Sequence, residues 1–331
     1  MKELKIVNEL DLGVPVRGSY VVGNYIYILA DVLYRAPISG DSVGELEPLN
    51  SIVNPNSIIS DGTYLYVSGG SVSNPTFSYL FAVRVSDFTL LVSLHRSNND
   101  NRVAVHGTDK HGNVHYIDSN ATFDHFWRVY RYYPENNMFT LVNSVSFGSV
   151  LTGLTVSDDH VILHRGNGFL SYLYSWDGQG SQFIYSSSAN PYRWIYDSVV
   201  YKGKFFGAPY SGSLGALFGL GEENFETIDS FSYASSQRSI DTDGDYCYSY
   251  GSGVLSAIKY VETNLTLTQQ VAFSDNSNLF RFPNQVHCGN NRVYVANGNK
   301  LYTLRWHVKA GFTVSNSNPA VGETITFSAI Q

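Results

Sequence analysis

Charged side chains are scarce in this chain: they make up only 15% of its 331 residues, and the formal net charge is −7. No basic stretch occurs, which argues against a nucleic-acid partner because phosphate binding depends on clustered lysine and arginine. No apolar run approaches the roughly 18 residues that a membrane-spanning helix requires. These shortages predict a protein that neither binds nucleic acid nor inserts into a membrane.

Cysteine and methionine are also rare, with two residues each. Cys247 and Cys288 are too few for a disulfide framework, and two buried free thiols are the favoured interpretation. The N-terminal segment MKELKIVNELDLG lacks the apolar core of a signal peptide. This absence would fit a virion protein assembled inside its host better than a protein exported by secretion.

Aromatic residues and glycine are abundant by contrast, with 25 tyrosines, 19 phenylalanines and 29 glycines. Strands favour aromatic side chains and turns favour glycine, so the composition predicts an all-β fold. The hydrophobic content of 43% is sufficient for a packed core and excludes global disorder.

An aromatic strand preceded by a tight turn recurs along the chain. The strands read YIYI, YLYV, VHYI, VILH, FFGA, YCYS and VYVA, and they begin at positions 25, 64, 114, 161, 205, 246 and 293. Most follow a turn that favours positive φ, such as Asp61-Gly62 or Asp243-Gly244. A spacing of about 40–50 residues is typical of the blades of a β-propeller.

The last repeat lacks a strand that the first six possess. Third and fourth strands follow each of the first six repeats, whereas the seventh ends at His307 without a fourth. Residues 3–12 have the character of the missing strand. The sequence therefore predicts a seven-bladed β-propeller over residues 1–308, closed by an N-terminal strand that completes the last blade. A pair of β-sandwiches is the alternative, although it would not explain the regular interval.

The C-terminal segment, residues 309–331, contains the run AGFTVSNSNPAVGETITFSAIQ. It resembles the opening strands of a PKD or Ig-like module, which implies a short β extension or linker after the propeller. A propeller followed by such a module resembles archaeal surface-layer proteins and virion appendages. The resemblance implies a position on a virion surface or on an extracellular cell surface.

One column of the repeats, five residues before each turn, is mostly polar. In a propeller the innermost strand of each blade lines the axial channel, so we expect these side chains to ring the channel entrance. The polar members are Arg17, Asn56, His106, Asp197, Arg238 and Asn284. The next column is mostly small or polar, as at Gly18, Ser57, Gly107, Ser198 and Ser239. A solvated channel lining is the alternative to a ligand-binding site.

Two loops that enter the same face place an arginine between aromatic residues. They contribute Tyr192, Arg193 and Trp194 before the fifth blade, and Phe280, Arg281 and Phe282 before the seventh. Aromatic and arginine side chains dominate the binding energy of many interfaces, so we expect this face to bind a ligand. The alternative is that the aromatic side chains close the ends of the blades.

Catalytic motifs are weak in comparison. The letters Gly40-Asp41-Ser42-Val43-Gly44 match a nucleophile elbow, but they fall between two blade strands. The segment 241–245 alternates carboxylates without the remainder of a calcium loop. Two pairs are minor alternatives: Asp109 with Asp241 as acid and base, and His106 with His287 as zinc ligands. No catalytic residue, metal or cofactor is expected.

The sequence thus favours a non-catalytic interaction module that binds a host surface, a glycan or a neighbouring subunit. Its partners would be proteins or glycans on a cell or particle surface. The alternative is a carbohydrate-active enzyme on a propeller scaffold, either a glycoside hydrolase or a polysaccharide lyase. In that case two carboxylates would converge at the channel mouth.

Overall fold

The computed structural model describes most of the chain, with several short gaps. The described residues are 2–98, 104–119, 125–148, 150–165, 171–186, 195–209, 214–220, 225–232, 239–261, 264–274, 284–308, 311–314 and 327–330. All regular elements in these ranges are β-strands, and none of the described segments forms a helix able to cross a membrane.

The strands are numbered in chain order. The first half contains β1 (Lys2–Asp11), β2 (Gly18–Val22), β3 (Tyr25–Leu29), β4 (Val32–Ser39), β5 (Ser42–Val43), β6 (Glu47–Ser60), β7 (Tyr64–Ser71), β8 (Asn74–Arg84), β9 (Thr89–Asn98), β10 (Ala104–Thr108), β11 (Asn113–Ser119), β12 (His125–Tyr133), β13 (Met138–Ser146), β14 (Leu151–Val156) and β15 (His160–Arg165).

The second half contains β16 (Ser171–Trp176), β17 (Ser181–Ser186), β18 (Ile195–Tyr201), β19 (Lys204–Pro209), β20 (Leu214–Leu220), β21 (Phe225–Ser232), β22 (Ser239–Thr242), β23 (Cys247–Gly251), β24 (Val254–Val261), β25 (Asn264–Ala272), β26 (Val286–Gly289), β27 (Arg292–Asn297), β28 (Lys300–Val308), β29 (Gly311–Val314) and β30 (Phe327–Ile330).

Antiparallel pairing groups most of these strands into four-stranded sheets. Four of the sheets are meanders of consecutive strands, namely β10–β13, β14–β17, β18–β21 and β22–β25. A fifth has the order β1-β28-β27-β26, so the N-terminal strand is its outer member. The prediction that residues 3–12 complete the last sheet is confirmed, because Lys2 pairs with Val308 and Asp11 pairs with Lys300.

An eight-stranded sheet contains the remaining strands of the first hundred residues. Its order is β2-β3-β4-β6-β7-β8-β9, with β5 attached to β4. The long strand β6 joins its two parts, because Glu47 pairs with Arg35 of β4 whereas Ser60 pairs with Leu65 of β7. A register shift separates these two pairings, and Asn54 within the shift has a positive φ of 48°.

One strand from each four-stranded sheet and two strands from the eight-stranded sheet, here called the innermost strands, contact one another in a closed circuit. Each member of the series β2, β6, β10, β14, β18, β22 and β26 contacts the next, and β26 contacts β2 again. Sheets arranged radially around such a ring define a β-propeller. The all-β prediction and the propeller prediction are therefore confirmed.

The repeated aromatic strands pack between neighbouring sheets. Tyr66 and Tyr248 occupy equivalent places in β7 and β23 and are almost completely buried. Each tyrosine hydroxyl donates to the aspartate of its preceding turn, Tyr66 to Asp61 at 2.8 Å and Tyr248 to Asp243 at 2.6 Å. The aspartate of the Asp-Gly turn thus anchors both the turn and the aromatic core residue that follows it.

The C-terminal strands form a separate small sheet. β29 and β30 pair antiparallel with each other, from Gly311 with Ile330 to Val314 with Phe327. Within the described residues, this hairpin is not hydrogen-bonded to a propeller sheet.

Candidate functional site

A half-open pocket of about 340 Å³ lies on the axis of the ring. Every one of the innermost strands contributes to its wall, from Tyr20 of β2 to His287 of β26. The predicted residues His106, Asp197 and Asn284 all line it, so the structure brings together three side chains that are far apart in sequence.

The other predicted residues fall into two groups. Arg17 and Asn56 do not line the pocket and bind neighbouring structure instead: Arg17 Nη2 donates to Asn54 Oδ1 at 2.8 Å, and Asn56 Oδ1 accepts a hydrogen bond from Ser68. Seven residues lie outside the described part of the chain, namely Tyr192, Arg193, Trp194, Arg238, Phe280, Arg281 and Phe282.

Several side chains in the two predicted columns connect innermost strands of different sheets. Most innermost strands lie at the edge of their sheet, so backbone N–H groups on the free side need acceptors. The acceptors come from the neighbouring sheet: Ser57 Oγ for Val105 N, Asp197 Oδ2 for Ile240 N, Ser239 Oγ for Val286 N, and Asn284 Oδ1 for Ile58 N, at 2.8–3.2 Å. Much of the polarity that the sequence shows at the channel therefore holds the ring together.

The small residues of the second column are explained by close approach. A Cβ atom at Gly18 would lie 2.6 Å from the carbonyl oxygen of Asn284, where β2 meets the start of β26. Ser19 N donates to that same carbonyl at 2.9 Å. A larger residue at position 18 would push the two strands apart.

Asp197 is the most perturbed acid in the pocket. Its pKa is raised to about 8, chiefly by burial and in smaller part by the nearby charge of Asp241, while hydrogen bonds from the backbone N–H groups of Ile240 and Ser198 oppose the shift. At neutral pH the carboxyl group is therefore mostly protonated. It contributes no charge to the pocket and offers an O–H donor.

Two neutral histidines lie beside this acid. Burial lowers the pKa of His106 to about 4 and that of His164 to about 3, and His106 contributes to the second shift. His164 Nε2 lies 2.7 Å from Ser198 Oγ, and its Nδ1 lies 2.9 Å from Ser171 Oγ. By contrast, His106 Nε2 is buried without a hydrogen-bond partner among the described residues.

Asp241 and His287 lie within ion-pair distance of each other on the next two innermost strands, β22 and β26. His287 Nδ1 lies 2.8 Å from Asp241 Oδ2, which also accepts a hydrogen bond from Cys288 N at 2.8 Å. The imidazole stacks on the ring of Tyr20, with centroids 4.3 Å apart. The sequence singled out Asp241 and His287 for other roles, but no local pattern indicated Tyr20 as their partner.

The minor prediction that Asp109 acts with Asp241 as acid and base is wrong, because Asp109 does not line the axial pocket that contains Asp241. Asp109 is the first residue of the turn between β10 and β11, and its side chain lies in a buried cluster. Its oxygens accept hydrogen bonds from Trp176 Nε1 at 2.5 Å, Asn113 Nδ2 at 2.8 Å and two backbone N–H groups. The carboxylate is thus fully engaged in connecting two neighbouring sheets.

The remaining minor candidates concern the segment 40–44, metal ligands and the two cysteines. The segment 40–44 lies at the tight hairpin between β4 and β5, where Ser39 pairs with Ser42, so it is not a nucleophile elbow. Among the described residues no group of three histidine, cysteine or acidic side chains could hold a metal ion. Cys247 and Cys288 are free thiols, and burial raises the pKa of each well above its usual value.

A second groove, of about 540 Å³, lies at the other ends of the last two sheets. Trp306 stacks on Tyr246 in its wall, and Arg292 and Arg305 both bind Asp41 at 3.0–3.1 Å. No sequence pattern indicated this groove, because its residues come from separate strands and turns.

Comparisons with known proteins support the fold alone. The sequence matches no protein-family model and no curated protein. A candidate 6-phosphogluconolactonase from Bacteroides uniformis superposes with a TM-score of 0.61 at 15% identity, covering 76% of this chain and 82% of its own. A protein of unknown function from Desulfotomaculum acetoxidans gives 0.66 at 10% identity, covering 83% and 89%.

A third similar structure is the AfRom2 CNH domain. It superposes with a TM-score of 0.61 at 8% identity, and the match covers 91% of this chain and 98% of that domain. Identities this low carry no information about ligands or chemistry, since one propeller scaffold serves unrelated functions.

Proposed function

We propose that the chain is a non-catalytic interaction module on a virion or cell surface. Its ligand would be a host surface, a glycan or a neighbouring subunit, bound at the face where the innermost strands begin. The observation that carries the proposal is the axial pocket, which collects His106, Asp197 and Asn284 from three sheets. A rigid ring that presents hydrogen-bonding groups at one mouth is suited to recognition.

The architecture that we propose for this module has seven blades. The eight-stranded sheet then represents two blades joined through β6, in addition to the five four-stranded sheets. The predicted division into a propeller over 1–308 and a PKD-like or linker segment over 309–331 is part of the same proposal. A surface position is supported by the resemblance of that segment and by the low charge of the chain.

Deletion of residues 1–12 tests the closure of this ring. The deletion removes β1 and with it Leu4, whose backbone N–H and C=O bind the amide of Gln269 at 2.7 and 2.9 Å. The melting temperature should fall sharply, whereas truncation after His307 should leave thermal unfolding nearly unchanged. An unaltered melt of the first variant would contradict the shared blade, and a large loss in the second would show that the tail packs on the propeller.

Recognition is tested by a binding assay on cell surfaces, immobilised glycans and assembled particles. The double variant Trp194→Ala with Arg281→Ala should bind at least thirty-fold more weakly, since anchor residues of these types typically contribute about 2 kcal/mol or more. His111→Phe, which lies in the turn at the far end of the β10–β11 hairpin, is the control and should bind normally. Normal binding by a folded double variant would move the site to another face.

A carbohydrate-active enzyme is the second candidate, and one observation favours it. Asp197 and Asp241 line the same pocket, and burial keeps the first protonated while the second pairs with His287. Environments that separate two carboxyl groups in this way are found in acid–base pairs. Turnover of a polysaccharide that is lost in Asp197→Asn would establish this candidate, and absence of turnover across a glycan panel would exclude it.

A further inference from the structure

The axial pocket has the dimensions of a small-molecule site. Its volume of about 340 Å³ equals the space of about eleven liquid waters. One six-membered sugar ring with its hydroxyl groups fits such a space, whereas a folded peptide element does not. A macromolecule would therefore place only one terminal unit in the pocket.

The charges on the described part of the wall favour a neutral ligand over an ionic one. No lysine or arginine is among the described residues that line the pocket, so an anion would lie beside Asp241 with no cationic partner other than the His287 ring, which already binds that carboxylate. A cation would have to compete for Asp241, whose oxygens already accept hydrogen bonds from Thr242 N, Cys288 N and the His287 ring. Burying an unpaired charge is costly, so a neutral ligand is favoured.

The remaining wall combines an aromatic surface with hydroxyl and carboxyl groups. Tyr20 and His287 provide aromatic rings, Thr108 provides a hydroxyl group, and His106 provides an imidazole Nε2 without a partner among the described residues. The hydroxyl groups of Thr155 and Ser198 also lie on this wall, where they bind each other and His164. A sugar ring presents the complement of this wall, because its C–H face packs on aromatic rings while its hydroxyl groups donate and accept hydrogen bonds.

We infer that the axial pocket binds one uncharged, hydroxyl-rich unit of a glycan, a neutral hexose rather than an acidic or amino sugar. The inference rests on the proposed recognition function and specifies its ligand. It assigns the specificity to the innermost strands that line the pocket, not to the loops of the same face.

Calorimetric titration with neutral and charged sugars of the same ring size tests the inference. The methyl glycosides of glucose, galactose and mannose are the neutral set, glucuronate and galacturonate the anionic set, and glucosamine and galactosamine the cationic set. At near-neutral pH at least one neutral glycoside should bind saturably, and its charged counterparts at least ten-fold more weakly. Stronger binding of a charged counterpart, or no binding of any neutral glycoside, would overturn the inference.

Two variants assign the binding to this pocket. Thr108→Phe fills the pocket from β10, and His106→Phe replaces an imidazole of its wall with an apolar ring. Both variants should bind the neutral glycoside at least ten-fold more weakly than the wild type. His111→Phe, at an exposed position of the turn after β10 that does not line the pocket, should bind like the wild type. Undiminished affinity in both pocket variants, with thermal unfolding at or above the wild-type temperature, would place the sugar elsewhere, including the second groove beside Trp306.

These outcomes are separable from the fate of the proposed function. Cell-surface or particle binding without any monosaccharide binding would leave the recognition module intact and refute the neutral hexose. Monosaccharide binding without attachment to cells, glycans or particles would support the pocket and refute the surface role.

Discussion

Asp109 and Asp197 are two buried aspartates of the same ring, yet their environments shift their pKa values in opposite directions. Burial would raise the pKa of Asp109, but hydrogen bonds from His115, Asn113 and Trp176 outweigh it and hold the pKa well below its usual range. Asp197 receives hydrogen bonds from two backbone N–H groups, which do not offset its desolvation, and burial raises its pKa to about 8.

The neighbouring histidines show the same contrast. Trp127 Nε1 donates to His115 Nδ1 at 3.2 Å, which leaves Nε2–H to donate to Asp109 at 3.3 Å, so both ring nitrogens are engaged. His106 has a buried Nε2 without a partner among the described residues. A saturated polar cluster is typical of a structural connection, whereas an incompletely satisfied one is typical of a functional site.

Removing the carboxylate of Asp109, whose oxygens are fully hydrogen-bonded, should have the largest effect on stability. Asp109→Ala leaves the donors of Trp176, Asn113 and His115 buried without an acceptor, so the free energy of unfolding should fall by about 3–5 kcal/mol. Urea denaturation measures the loss. Asp158→Ala, at an exposed turn position, is the control and should change stability by less than about 0.5 kcal/mol. Equal losses in the two variants would contradict a structural role for Asp109.

Alkaline pH should lower the free energy of unfolding through Asp197, the carboxyl group whose hydrogen bonds do not offset its burial. The folded pKa of Asp197, about 8, exceeds the unfolded value of about 3.9, so the stability that its proton contributes is full at low pH and is lost as the pH rises to about 8. His106 and His164 act oppositely: their lowered pKa values make the protein less stable as the pH falls below about 6.5.

The opposite pH dependences of Asp197 and of the two histidines predict that the free energy of unfolding is largest near pH 6.5. Between about pH 6.5 and 8 the loss of the Asp197 proton alone should lower the free energy of unfolding by about 2 kcal/mol, at about 1.4 kcal/mol per pH unit for one proton. The histidines finish deprotonating in the unfolded state over the same range, so they should offset about half of this loss. Asp197→Asn should abolish this alkaline decrease and retain the acidic one, as urea denaturation across the pH range would measure. A flat wild-type profile above pH 6.5 would show that Asp197 is ionised in the folded protein.

The smallest change in stability is expected for a substitution of His106. His106→Phe removes a buried Nε2 that has no hydrogen bond among the described residues, so the free energy of unfolding should rise by about 1 kcal/mol. The matched variant His115→Phe should lower it, because that ring bridges Trp127 and Asp109. Chemical denaturation of both variants checks the contrast, and destabilisation by His106→Phe would mean that its ring stabilises the fold as that of His115 does.

The strand order could be predicted from the sequence because each repeat carries its own signals. Asp61-Gly62 and Asp243-Gly244 fix turns whose glycines adopt φ of 93° and 90°, and alternating aromatics mark the strand that follows. The continuity of β6 could not be predicted. Val53-Asn54-Pro55 reads as a break between strands, and only the pairing partners on both sides show that one strand spans this irregular segment.

The candidate site could be predicted only in part. Repeat alignment placed His106, Asp197 and Asn284 at one end of the innermost strands, because equivalent repeat positions share a height on the ring. The alignment could not show that Asp197 and Asn284 also accept hydrogen bonds from the backbone of other innermost strands. Nor could it show that Asp109 accepts a hydrogen bond from Trp176 of the next sheet. Those contacts depend on side-chain direction between sheets, which the spacing of one strand does not determine.

The pairing of β1 with β28 has a consequence for biosynthesis. The strand made first must wait for a partner made about 300 residues later, so the ring cannot close until that partner has left the ribosome. During this interval the apolar side of β1, including Leu4, has no permanent partner. Contacts so distant in sequence slow folding, and closure should therefore be the late, rate-limiting step, open to capture by chaperones and to pairing with another nascent chain.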